Sequence, residues 1–155
     1  MSSPKLRRSA LLAGGLAVVM TPLLASSPVA AAPGSGGPTG KTVSASGWCH
    51  YAKPWGGTFY CNSNVKIKLP NGYWQAFVIG TNKGAYTQWQ SRSGLSGWKH
   101  LDNGYCTKPG HHSMDVWDVN GWKFNVTCIG LNGKRYYDHR YSNGKWSGWT
   151  TKRIR

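Results

Sequence analysis

The 155-residue chain carries 19 Lys and Arg against four Asp and no Glu, a net charge of +15 at pH 7. A chain this short holds one domain, and so few carboxylates leave little material for the paired-acid chemistry of a glycosidase. The charge favours anionic polymers (nucleic acid, teichoic acid, acidic polysaccharide, anionic lipid) without choosing among them.

In chain order, Lys5, Arg7 and Arg8 precede an apolar run from Ala10 to Leu24, and small residues follow to Ala31. That order predicts a secretory signal peptide over residues 1–31 and a secreted, extracellular protein. The run is interrupted by Gly14, Gly15, Thr21 and Pro22 and is too short for a membrane anchor, so no membrane span is expected after cleavage. Residues 32–46 are rich in Gly, Ser, Pro and Thr and predict a flexible tail. Removing residues 1–31 leaves 16 basic residues, all four aspartates and a net charge of +12. All nine Trp, all eight Tyr and all four Cys lie in the remainder.

Ser-Gly-Trp occurs at residues 46–48, 96–98 and 147–149, a period of about 50 residues. A fixed period of that size marks copies of one supersecondary unit. The copies align as two units, approximately 47–98 and 99–155, making a β domain over 47–155. Asn71-Gly72 and Asn120-Gly121 each sit between strand-like runs, the signal of a β-hairpin. Further strands are expected over Ala76–Gly80 and Asn125–Gly130, then over Tyr86–Gln90 and Tyr137–Tyr141. No run outside the leader has helical periodicity. The predicted fold is all-β: two antiparallel β-meander repeats of about 50 residues, packed as a small disulfide-pinned sandwich or open barrel.

In an exported chain, Cys49, Cys61, Cys106 and Cys128 predict two disulfides. The local pairing, Cys49–Cys61 with Cys106–Cys128, is expected among three possible. No Cys-x-x-Cys pair points to zinc. His111-His112, near Asp115, reads as a polar loop before it reads as a metal site, so neither metal nor cofactor is expected.

The run Ile79-Gly80-Thr81, Gly84-Ala85-Tyr86, Trp89, a short loop and Ser96-Gly97-Trp98 resembles the blade repeat of bacterial β-propeller lectins of the Photorhabdus fucose-lectin type. The run from Tyr136 to Trp149 resembles it again. The resemblance covers about two repeats and implies four-stranded units with sugar bound between neighbours against Trp and Tyr. A ring needs about four such units, so this chain departs from that pattern.

Within the repeat, Trp98 and Trp149 read as core. Trp89, aligned with Arg140, reads as a ligand platform, with Tyr86, Tyr137, Asp138 and His139 as neighbouring contacts. An indole face stacks on a sugar's C–H face while polar groups bond its hydroxyls. No Gly-x-Ser-x-Gly elbow is present, and a His/Lys ribonuclease has only the charge in its favour. The expected function is a non-catalytic, secreted, lectin-like protein that binds carbohydrate or a cell-wall polymer. One alternative is an adaptor in a secreted toxin or antagonism assembly, docking a protein partner through residues 32–46 by strand addition. The other is a cationic antimicrobial or polyanion-binding protein; nucleic acid is disfavoured as a partner because no nucleic-acid motif is present.

Overall fold

The five strands of the first full unit are set by alternation and turn chemistry. In the computed structural model, which describes residues 36–107 and 114–155, short strands β1 (Thr42–Val43) and β2 (Cys49–His50) pair near the N-terminus. Then come β3 (Val65–Lys68), β4 (Trp74–Ile79), β5 (Gly84–Ser91), β6 (Gly94–Leu95) and β7 (Lys99–Tyr105). They form one antiparallel sheet in the order β3-β4-β5, with β6 and then β7 following the far edge of β5. The second unit holds β8 (Asp115–Asn120), β9 (Lys123–Ile129) and β10 (Arg135–Arg140), ordered β10-β9-β8. Isolated bridges from Arg140 to Trp146 and from Tyr137 to Thr150 supply its fourth edge. No helix occurs among the described residues, and the sheets do not close into a barrel. Residues 1–31, expected from the sequence to be a signal peptide, residues 32–35, and His111 and His112 lie outside the described residues.

The turns repeat more strictly than the strands do. Four hairpin loops (Leu69–Tyr73, Gly80–Gly84, Gly130–Lys134, Tyr141–Lys145) share one pattern. The fourth residue's N–H donates to the first carbonyl, and the first N–H donates to the fifth carbonyl. The fourth residue has positive φ: Gly72 at 83°, Lys83 at 67°, Gly133 at 78°, Gly144 at 84°. The third is always Asn (Asn71, Asn82, Asn132, Asn143), whose Oδ1 accepts the N–H two residues on. This is the three-residue hairpin loop ending in a left-handed residue. Asn120-Gly121 differs: Asn120 pairs with Lys123, so Gly121 and Trp122 make the turn.

The sheets stack. One face of β4 (Phe77, Ile79) meets Phe124, Val126 and Cys128 of β9 in the larger core. Phe77, Phe124 and Trp146 meet edge to face there, with ring centroids 5.7–6.1 Å apart. The other face (Ala76, Val78) packs on Tyr51, Trp55 and Phe59 of the N-terminal segment. The middle sheet is therefore buried on both sides. The expected tail is part of that first layer from residue 36 onward. Pro38 is fully buried, Gly36 C=O accepts from Gln90, and Pro38 C=O accepts from Lys66. Residues 36–38 thus lie on the middle sheet, and residues 39–46, largely exposed, are hydrogen-bonded within the N-terminal segment rather than forming a free tail.

Register corrects the alignment of the units. Trp89 pairs with Gln75 and His139 with Asn125, while Trp89 and His139 each donate N–H to a Ser-Gly-Trp serine, Ser96 and Ser147. The counterpart of Trp89 is His139, not Arg140; Arg140 matches Gln90, and Tyr136 matches Tyr86. The offset is 50 residues up to β10 and 51 beyond it, because the loop after β10 is one residue longer.

Both disulfides form as expected, Cys49–Cys61 and Cys106–Cys128. The first closes the N-terminal layer; the second ties the residue after β7 to β9 and so pins the middle sheet to the second. Cys106→Ala with Cys128→Ala opens a loop spanning a sequence separation of 22 and is expected to cost about 3 kcal/mol. Urea denaturation measures this; an unchanged midpoint would show the bridge contributes nothing beyond the packing.

Candidate functional site

Two clefts of the same build open where one layer meets the next. The first, about 270 Å³, is lined by Gly57 and Thr58 of the N-terminal layer and by Gly80, Asn82, Tyr86 and Trp98 of the middle unit. The second, about 440 Å³, is lined by Gly104 and Tyr105 of the middle unit and by Gly130, Asn132, Tyr136 and Trp149 of the last.

Each cleft begins at an Asn turn. Asn82 Oδ1 accepts the Gly84 N–H and its Nδ2 donates to the Tyr86 hydroxyl at 2.9 Å. Asn132 does the same with Lys134 N–H and with the Tyr136 hydroxyl at 3.0 Å. The tyrosine ring lies flat across the glycine that opens the turn. A Cβ on Gly80 or Gly130 would come within 2.8 or 2.7 Å of that ring, so only glycine admits it.

The opposite wall is the tryptophan of Ser-Gly-Trp. Serine replaces a ladder rung: Ser96 Oγ accepts the Trp89 N–H, and Ser147 Oγ the His139 N–H. Glycine follows at positive φ, 70° at Gly97 and 79° at Gly148, and turns the chain so that the indole crosses to the preceding layer. Trp98 Nε1 donates to Trp55 C=O at 3.2 Å, and Trp149 Nε1 to Leu101 C=O at 2.9 Å. Each indole covers a glycine of that layer; a side chain at Gly57 or Gly104 would overlap Trp98 or Trp149. Both indoles remain half-buried, so they serve the packing and line a cleft at once. The result is an aromatic pair, one indole and one phenol, with an exposed amide at the mouth.

The rims differ. Thr58 and Thr81 edge the first cleft. Tyr105, Leu131 and Asp102 edge the second, with Tyr105 and Leu131 both exposed.

The sequence-predicted site residues are dispersed. Tyr86 lines the first cleft. Trp89 and Arg140 meet in a separate groove between the two large sheets. Tyr137 lies on the outer face of the second sheet against Trp117, centroids 5.7 Å apart. His139 is buried on that same face, 3.3 Å from Asn125 Oδ1, and burial lowers its pKa. Asp138 points into the interior. The six therefore form no single site, and Asn82, Asn132, Tyr136, Trp98, Trp149 and the two glycines of the preceding layers were missed. A signal existed: Gly-x-Asn with Tyr four residues after the Asn occurs twice at the same offset. The glycines that complete each cleft come from the previous unit, which alignment within a unit does not reveal.

Asp138 matches Gln88 of the middle unit, whose amide donates to Trp55 C=O. Asp138 is fully buried, and Ser147 Oγ donates to its Oδ1 at 3.3 Å. Burial, reinforced by the nearby Asp102 carboxylate, pushes its pKa up to about 7. Among the described residues no cluster of three or more His, Cys, Asp or Glu is placed to hold a metal. No family model matches the chain, and no curated protein matches it.

The unfolded Asp138 carboxyl titrates near pH 4, as is usual for Asp (about 3.9), whereas the folded one holds its proton to about pH 7. Its contribution to stability is therefore lost as pH rises from about 4 to about 7 and is constant above. Asp138→Asn, which restores the amide of the equivalent position, is expected to raise the melting temperature at pH 8 by about 4 °C or more and to leave it little changed at pH 4. Thermal unfolding at the two pH values checks this; equal shifts at both would refute the buried-acid account.

Proposed function

We propose that the protein is a secreted, non-catalytic, lectin-like binding module that holds neutral sugar units in its two inter-layer clefts. The observation that carries this reading is the duplication of one cleft, in which an indole, a phenol and an amide are held by the same hydrogen bonds twice over. An indole face suits the C–H face of a pyranose, and the Asn amide and Tyr hydroxyl at the mouth suit its hydroxyls. Two such clefts on one rigid body bind a repetitive surface with an avidity beyond either alone. Two disulfides with no free cysteine fit an extracellular setting. The adaptor reading draws less support, because residues 36–38 of that segment are packed on the middle sheet.

Tyr86→Phe with Tyr136→Phe keeps both rings and removes both hydroxyls. Loss of one hydrogen bond of about 1 kcal/mol in each cleft is expected to weaken binding to a hit on a neutral-glycan array about fivefold per cleft, with the melting temperature preserved. Asn82→Ala or Asn132→Ala alone should leave one cleft working and remove the avidity. An array with no neutral-glycan hit by the unaltered protein would overturn the reading.

A further inference from the structure

A further groove opens between the two large sheets. It encloses about 350 Å³, with Tyr73 and Trp89 on the middle-sheet side and Trp122, Arg140 and Trp146 on the other, and Arg92 at its rim. Trp89 and Arg92 are exposed. No carboxylate lines it.

Arg140 is the feature the packing does not explain. Its guanidinium is half-buried, 5.2 Å from the Trp122 ring centroid and 5.7 Å from that of Phe124. A guanidinium has five N–H donors, and among the described residues one protein acceptor meets it, Trp122 C=O, 2.8 Å from Nη1. The ion pair among the described residues joins Arg153 to Asp118, on the outer face, and leaves Arg140 without an acid. A partly desolvated cation gains from a counter-charge or further acceptors. At the same position the middle unit carries the neutral Gln90, which bonds Trp74 N–H and Gly36 C=O. The fold therefore does not require a cation here.

We propose that this groove is a second binding site that takes an anionic saccharide unit, a sugar bearing a carboxylate or a phosphate ester. Arg140 and Arg92 hold the anion, Arg140 by a bidentate contact of the kind guanidinium makes with carboxylate and phosphate. Trp89 and Trp122 flank the ring. The site is separate from the two clefts, shares no lining residue with them, and uses the chain's excess of positive charge. One module then reads two chemistries of a polymer, neutral units in the clefts and an acidic unit in the groove.

The test is a two-dimensional NMR titration of the protein with glucuronic acid, glucose 6-phosphate and glucose, following the indole Nε1–H signals at 50 mM salt. The expected result is a shift of the Trp89 and Trp122 signals by one or both acidic sugars, at least tenfold tighter than any shift by glucose. A response to glucuronic acid alone points to uronic-acid polymers, and one to glucose 6-phosphate alone to phosphate-linked polymers; either supports the site. Arg92→Ala, at an exposed position, should weaken the acidic-sugar response several-fold. Arg140→Gln, which installs the residue of the equivalent position, should abolish the preference over glucose. Equal binding of glucose and both acids, an undiminished preference in both variants, or shifts confined to Trp98 and Trp149 would overturn the proposal. Tyr86→Phe with Tyr136→Phe should leave the acidic-sugar response intact. Failure of the clefts on the glycan array with a positive groove titration would therefore remove the lectin reading and keep this one.

Discussion

Each unit is fastened to the layer before it by one tryptophan, and the rest of the architecture follows from that contact. The indole of Trp98 donates to Trp55 C=O and that of Trp149 to Leu101 C=O, each lying on a glycine of the preceding layer. The contact fixes the distance between layers, because neither glycine can carry a side chain. It also decides which residues face each other across the cores. With the indole seated, Phe77 meets Phe124 and Trp146 on one side, and Val78 meets the Tyr51–Phe59 cluster on the other. The clefts are the space the same indole leaves uncovered beside the neighbouring tyrosine.

Stacked repeats must end somewhere, and an apolar face left open invites association. The chain ends its stack with chemistry at both sides. At the start, residues 36–61 lay Pro38, Tyr51, Trp55 and Phe59 over the middle sheet and lock the segment with Cys49–Cys61. At the far end the outward positions turn polar. Where the middle sheet presents Phe77, Ala85, Thr87 and Trp89, the second sheet presents Thr127, Arg135, Tyr137 and His139. Arg135 and Arg153 cover Trp117, with guanidinium carbons 5.0 and 4.9 Å from a ring centroid. Asn125 ties Asp118 and the Ile154 carbonyl into the same cover. Arg153 holds the Asp118 carboxyl below its usual pKa. This is the polar outer face expected of a terminal repeat.

Much of this was legible in the sequence. The Ser-Gly-Trp period located the layer contacts, the absence of helical patterning set the class, and the local spacing of the cysteines matched the bridges that form. Three features were not legible, each for a physical reason. Asn71-Gly72 signals a hairpin, but Pro70 extends its loop to three residues, so the pair is not the two-residue turn its composition suggests. The one-residue slip between Trp89 and Arg140 comes from the loop after β10, where an added residue is tolerated, and carrying that offset back into β10 reverses the face assigned to each of its side chains. The tail composition reads as flexible because Gly, Pro and Ser bring little apolar surface. Its order comes from backbone carbonyls at Gly36 and Pro38 meeting side chains of the middle sheet, which no local pattern reports.

The site was the least legible part because it divides into two kinds of residue. The frame of each cleft, meaning the glycines, the Asn turn, the Tyr and the Trp, is fixed by the way layers join and so repeats at constant offset. The rim is not. Thr58 and Thr81 give way to Tyr105 and Leu131, and Asp102 appears only beside the second cleft. Asp102 also lies near enough to Asp138 to raise its pKa, so the charge at that rim and the proton held inside the sheet are coupled. A repeat built in this way separates two demands on its residues. Those that hold the layers together cannot change without moving a sheet, whereas those at the mouth can change chemistry while the backbone beneath them stays the same.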